Sequence, residues 1–144
     1  DGGNLIVQYN TSNQIGPVRA KISPYNFDIS RTRVTDENAA VTFVNPQHPV
    51  LNFPNVITQD DFKGWIQERS IYHATNWDKT KFETILSMHD PGENPDEGSL
   101  IVSKYGKGYF TYTGIVFFRE LPAGVPGAYR LLANIIALNK KKGF

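Results

Sequence analysis

The segment His89-Asp90-Pro91-Gly92-Glu93 brings an imidazole and two carboxylates close together. It lies just past an apolar stretch, Glu83 to Met88, that reads as a strand, and ligands in α/β sheets gather beyond the carboxyl ends of strands. A zinc site would pair His89 with Asp90 and Glu93. The chain, however, has only three histidines, His48, His73 and His89, and none is spaced four apart on a helix as a zincin-type hydrolase requires. A turn histidine near the surface is the plainer reading. Asp90, Glu93, Asp96 and Glu97 offer oxygen ligands to calcium, but their spacing fits no EF-hand loop, and acidic loops are usually just solvated. Nucleophilic catalysis needs an activated thiol or hydroxyl on a strand-to-helix elbow. The chain has no cysteine and no Gly-x-Ser-x-Gly segment. Gly106-Lys107-Gly108 lacks both the frame and the following helix of a phosphate-binding loop, and reads as a hairpin turn. No catalytic residue, metal or cofactor is expected.

Binding is better supplied. Trp65, Tyr72, Trp77, Tyr105, Tyr109, Tyr112, Phe117 and Phe118 make the chain dense in rings. Such rings stack on sugars or fill a core. Opposite charges stand beside them in Trp65-Ile66-Gln67-Glu68-Arg69 and in Arg119-Glu120, either to rim a pocket or to form interface ion pairs worth little in isolation. The strand ends and their loops nominate six ligand-binding residues. Asn10 follows the first strand, Glu68 and Arg69 close a short helix, His89 follows Glu83–Met88, and Arg119 and Glu120 follow a hairpin. These are expected to converge. Scatter over opposite faces would remove the site.

Several elements must position them. Leu5-Ile6-Val7 reads as a strand buried on both faces, behind Gly2-Gly3, the kind of pair that ends a helix. This arrangement suggests that earlier elements precede Asp1. Residues 11–30 are loop-like, with Ile22 at the start of a short strand. Val41 to Val44 is a strand stopped at Asn45-Pro46, and a proline-bounded loop runs from His48 to Asn55. Thr58 with Asp61 forms a capping-box signal, and Phe62, Trp65, Ile66 and Arg69 predict a short amphipathic helix over 59–68. Runs 99–105 and 109–118, split by Gly106-Lys107-Gly108, predict a β-hairpin. Pro126 and the stripe Ala128, Leu131, Leu132, Ile135 and Ile136 predict a helix over 126–139, packed on the sheet.

Length and composition bound the rest. The chain of 144 residues is 40% hydrophobic and 20% charged, enough for one domain with a hydrophobic core and unlike a disordered chain. A formal charge of +1 gives nucleic acid no electrostatic attraction. Lys140, Lys141 and Lys142 are the only basic run and suit the end of a helix. No apolar stretch approaches the length of a membrane span, and no signal peptide opens the chain.

A family resemblance rests on motifs in a fixed order. They are Arg31-Thr32-Arg33-Val34-Thr35-Asp36-Glu37, His48-Pro49-Val50-Leu51-Asn52, Trp65-Ile66-Gln67-Glu68-Arg69, Asp90-Pro91-Gly92-Glu93, Tyr105-Gly106-Lys107-Gly108, and Gly124-Val125-Pro126-Gly127-Ala128-Tyr129-Arg130. From Gly2 to Leu138 the chain resembles the C-terminal region of large bacterial PIG-L (LmbE-like) deacetylases, a class I glutamine-amidotransferase-like domain. The resemblance implies a partial flavodoxin-like α/β sandwich with a mixed sheet, residues 1–144 being the later part of a larger domain. It implies a non-catalytic accessory role, in packing or substrate presentation, beside a zinc-dependent N-deacetylase domain of the same polypeptide. The Ala-His-Pro-Asp-Asp type zinc motif of that domain does not occur here, so no metal ligand carries over. Carbohydrate and self-association are the further partners implied, and a periplasmic or secreted location follows from the family's habits alone. A carbohydrate-binding module and a hydrolase centred on His89 are the alternatives.

Overall fold

The computed structural model describes residues 2–11 and 21–140. Ten strands appear in chain order: β1 (Asn4–Gln8), β2 (Asp28–Ile29), β3 (Arg33–Val34), β4 (Val41–Phe43), β5 (Ser70–Ile71), β6 (Ala74–Thr75), β7 (Phe82–Thr84), β8 (Leu86–Met88), β9 (Leu100–Tyr105) and β10 (Gly108–Thr113). Two α-helical segments follow, α1 (Phe117–Glu120) and α2 (Pro126–Ile136). The fold is mixed α/β. Its main sheet runs β1-β10-β9-β7, with β1 parallel to β10 and the other neighbours antiparallel. Three two-stranded pairs, β2-β6, β3-β5 and β4-β8, lie outside it.

The β9-β10 hairpin forms where the glycines predict it, with Gly106 at a φ of 58°. Side chains alternate across a strand. Leu100 and Val102 accordingly join the core under α2, while Ile101, Phe110 and Tyr112 join a second core with Ile29 and Phe82 on the opposite face. Both faces of the hairpin are therefore buried, which is why its sequence is a nearly unbroken apolar run. The second strand is shorter than its apolar run, ending at Thr113. Gly114 then passes so close to β5 that a Cβ would sit 2.3 Å from the Ile71 carbonyl, and the chain turns into α1.

α2 stops at Ile136, short of residue 139. Its last carbonyls, Ile135 O and Ile136 O, accept from the Asn4 side-chain amide at 2.8 and 3.1 Å. Lys140 lies beyond the helix end, and Lys141 and Lys142 fall outside the described residues. No helix among the described residues is long and apolar enough to cross a membrane.

Four expectations need correction. Among the described residues β1 is an edge strand that pairs with β10 alone, not a strand buried on both faces, and Leu5 is 56% exposed. Ile22 begins no strand; the next strand starts at Asp28, and residues 12–20 of that loop are outside the described set. The stretch Glu83–Met88 splits at Ile85, whose carbonyl accepts from Val44 N, so that β7 pairs with β9 while β8 pairs with β4. The amphipathic helix over 59–68 is a single 3-10 turn, Gln59–Phe62. Its capping box is present, with Thr58 N donating to Asp61 Oδ2 at 2.9 Å. The turn cannot continue because side chains take its carbonyls: the Trp65 indole donates to Asp61 O at 2.8 Å and Arg69 to Phe62 O at 3.0 Å. Gly64 (φ 74°) and Gln67 (φ 70°) then lead the chain into a left-handed course that no helix tolerates.

Candidate functional site

The segment Trp65–Arg69 is the centre of a polar cluster. Trp65 anchors it in the core, stacked 5.6 Å from the Phe62 ring. Consecutive backbone N–H groups are then taken by carboxylates: Ile66 N donates to Glu120 Oε1 at 2.6 Å and Gln67 N donates to Glu37 Oε2. Glu68 forms an ion pair with Arg119 at 2.6 Å, and the Arg119 guanidinium also donates to Gln67 Oε1 at 3.2 Å. Arg69 points inward. It donates to Ala39 O at 2.8 Å and to Phe62 O, with its guanidinium 5.7 Å from both the Phe62 and Trp65 rings. Burial lowers the Arg69 pKa, an effect opposed by the carboxylates of Asp36, Glu120 and Glu37. Glu120 is buried, and burial together with Glu37 and Glu68 raises its pKa, against the bond from Ile66 N and the charge of Arg69. Its Oε2 has no hydrogen-bond partner among the described residues.

Of the six nominated residues, Glu68 pairs with Arg119, Glu120 bonds to Ile66, and Arg69 bonds to Ala39 and Phe62, with Arg69 and Glu120 buried. Asn10 sits beyond the carboxyl end of β1, where Tyr9 packs 4.4 Å from the Phe118 ring. His89 does not join. It follows β8, its Nδ1 lies 2.9 Å from its neighbour's carbonyl, Asp90 O, and no hydrogen bond or ring contact ties it to the other five among the described residues. Glu68, Arg69, Arg119 and Glu120 lie in or against one stretch of chain, whereas Asn10 bonds to Gln8 and Tyr112 and His89 to Asp90. The strand that was to deliver His89 belongs partly to a separate strand pair, β4-β8.

The acidic loop after His89 is also engaged. Asp90 accepts from Thr35 Oγ1 and Asp36 N, each at 2.8 Å. Burial opposes the ionised form, but those bonds and nearby Arg33 outweigh it and lower its pKa. Glu93 pairs with Arg33 at 3.5 Å and Glu97 accepts from Thr84 at 2.8 Å. Asp90 and Glu93 thus share the Arg33 cation, while Glu97 turns to Thr84 and Asp96 to His73. Among the described residues no group of three His, Cys, Asp or Glu side chains is placed to hold a metal ion.

One arrangement escaped the sequence. Ser70 Oγ lies 2.6 Å from His73 Nε2, and His73 Nδ1 lies 2.6 Å from Asp96 Oδ1. This is the acid–imidazole–hydroxyl order of a serine hydrolase. No elbow motif announces it; the only local signal is Ser70 three residues before His73. Access runs the wrong way for catalysis. Ser70 and His73 are 0% exposed and Ser70 Oγ faces the Met88 sulfur at 3.5 Å, whereas the Asp96 side chain is 31% exposed. A substrate can reach the acid but not the nucleophile. The line instead ties β5 to the loop at 96–98, where Gly98 N also donates to Asp96 Oδ1 at 2.9 Å.

A separate depression of about 700 Å³ lies at the other end of the sheet, lined by Leu5, Ile22, Pro24, Tyr105, Tyr109 and Phe110 among others. Among the described residues its walls hold no carboxylate or imidazole.

No protein-family model, curated protein or solved structure matches this chain. The residues and their geometry carry the functional reading.

Proposed function

We propose that this chain is a non-catalytic accessory domain of a PIG-L (LmbE-like) amino-sugar or glycan deacetylase, and that it packs on the catalytic domain or presents substrate to it. The fold we assign to it is the later part of a flavodoxin-like, class I glutamine-amidotransferase-like sandwich. Its parallel β1-β10 pair and the packing of α2 on the sheet agree with that assignment. A periplasmic or secreted setting belongs to the same proposal.

The observation that carries the reading is the use made of the charged side chains in the quoted motifs. Asp90 is bonded to Thr35 and Asp36, Glu120 to Ile66, Arg69 to Ala39 and Phe62, and Glu68 to Arg119. Arg130 in turn meets Asp61 at 2.8 Å. Segments far apart in sequence are fastened to one another by the groups that a hydrolase would have to leave free. Such fastening makes a stiff body and a defined surface, the two properties an accessory domain needs.

The test is an assay of the purified chain on N-acetylated sugars and on simple amides and esters. No turnover is expected. Turnover abolished by His89→Ala or Ser70→Ala would replace this reading with a hydrolase. The parent gene gives an independent check, since an Ala-His-Pro-Asp-Asp type segment upstream is the expected finding.

A further inference from the structure

The two parallel strands of the sheet, β1 and β10, have their carboxyl ends on the same side, and three rings gather there. Tyr9, the residue after β1, lies 5.3 Å from the Tyr72 ring and 4.4 Å from the Phe118 ring, edge-on to both. Phe118 is 46% exposed. Polar groups rim the rings. The Arg119 guanidinium lies over the Phe118 ring, 5.0 Å from its centroid, and is held by Glu68, while Gln67 and Asn10, the residue after Tyr9, are exposed.

The backbone beneath is strained. Tyr9 (φ 45°), Gln67 (φ 70°) and Tyr72 (φ 59°) are three of the four described non-glycine residues with positive φ. Each such conformation costs on the order of 1–3 kcal/mol and persists only where the surroundings enforce it, and such residues cluster at active sites, ligand clamps and switch regions. The enforcement is visible. The buried Tyr112 hydroxyl donates to Tyr72 O at 2.6 Å, with Asn10 O a longer acceptor at 3.4 Å. Burial raises the pKa of that hydroxyl and so keeps it a donor. Gly114 lets the neighbouring chain approach the Ile71 and Tyr72 carbonyls.

The chemistry of the patch selects its ligand. Ring surfaces favour an apolar face of C–H groups. The Glu68–Arg119 pair cancels its own charge, so free anions and cations gain little. Amide and guanidinium donors and a carboxylate acceptor suit hydroxyls around a ring edge. We propose that the Tyr9–Tyr72–Phe118 patch, rimmed by Asn10, Glu68 and Arg119, is a binding site for a neutral pyranose sugar. This rests on the accessory reading in one respect: the domain holds a sugar without cleaving it. Tyr112 is a positioning residue that acts through the Tyr72 and Asn10 carbonyls.

Isothermal titration of the 144-residue chain with chitotriose and cellotriose, and with acyclic sorbitol as the control, tests it. Binding heat is expected with at least one cyclic sugar and none with sorbitol. Loss of the stacking ring in Phe118→Ala weakens affinity roughly tenfold. Phe118→Leu keeps apolar bulk, lacks the ring, and loses as much, which separates stacking from a folding defect. Tyr105→Ala, in the depression at the far end of the sheet, leaves affinity unchanged. Absence of heat with both sugars, equal heat with sorbitol, or loss through Tyr105→Ala and not Phe118→Ala would overturn the site. Mass analysis of the titrated sugar distinguishes the two proposals. Intact sugar without heat removes the sugar site alone, while deacetylated or cleaved sugar removes the accessory reading and leaves the site standing.

Discussion

Ser70 and His73 belong to a sealed polar line, and Tyr72, between them, belongs to an open aromatic patch. The left-handed turn at Tyr72 parts the two. The sealed line has the distances that a catalytic reading would prize, yet its hydroxyl is enclosed by Met88. The open patch has less conspicuous groups, but Phe118 is exposed and Tyr9 and Tyr72 are partly so, with Tyr9 and Tyr72 held in a costly backbone course and set where the parallel strands end. Short hydrogen bonds in a closed interior serve cohesion, because each buried polar group needs its partner. Strain beside a half-exposed ring serves recognition, because cohesion alone gives no reason to maintain it. Access and strain, more than distance, separate the roles.

The largest expected effect lies in the sealed line. His73→Ala leaves Ser70 Oγ without its imidazole partner, leaves Asp96 Oδ1 with only the Gly98 N–H, and opens a cavity, so urea unfolding should register a loss of about 3 kcal/mol. A loss below about 0.5 kcal/mol would deny the line its structural role. Tyr112→Phe removes one hydroxyl under the patch and should cost about 1 kcal/mol. It should also shift the NMR signals of Tyr9, Asn10 and Tyr72 while leaving those of Asp96 and Gly98 in place.

A smaller effect separates the regions by the sign of their pH dependence. Burial opposes ionisation of Asp96, but bonds from His73 and Gly98 outweigh it, and its pKa is lowered. The folded state therefore binds fewer protons than the unfolded, and the stability Asp96 supplies is present above the unfolded carboxylate pKa of about 3.9 and lost as pH falls through the lower folded value. Glu120 has a raised pKa and the opposite sign. Its contribution is complete below the unfolded pKa of about 4.3 and lost as pH rises through the folded value. Urea midpoints measured from pH 3 to 8 should thus lose an acid-limb slope in Asp96→Asn and gain stability at neutral pH in Glu120→Gln. Matching slopes for the two variants would erase the contrast. The smallest effect belongs to Arg119→Ala, under about 1 kcal/mol, because a partly exposed pair is screened by solvent. Here the change should be visible in sugar affinity before it is visible in stability.

Local chemistry was readable and long-range chemistry was not. Gly106 marked the β9-β10 turn, the stripe from Ala128 to Ile136 marked α2, and Thr58 with Asp61 marked a capping box. The predicted helix at 59–68 failed because Trp65 and Arg69 read equally well as helix-face residues and as side chains that capture helix carbonyls, and periodicity cannot tell these apart. In the site, Glu68 and Arg119 were recognisable by type, but their bond joins residues 51 apart. Tyr9, which links the rings, stands out by neither motif nor spacing. The Ser70–His73–Asp96 line needs β5 and the 96–98 loop side by side, a fact of tertiary packing with no trace in spacing.

β1 meets its sheet partner only across the length of the chain: Asn4 lies opposite Tyr109 in β10 and reaches the α2 carbonyl at Ile135. During synthesis from the amino end, a strand with such distant partners must wait. Leu5, Ile6 and Val7 meet Phe110, Thr111 and Tyr112 only after more than a hundred later residues are made. The β9-β10 hairpin, whose turn is local, forms before β1 can dock on it. The hairpin is thus the template and β1 the strand that completes it.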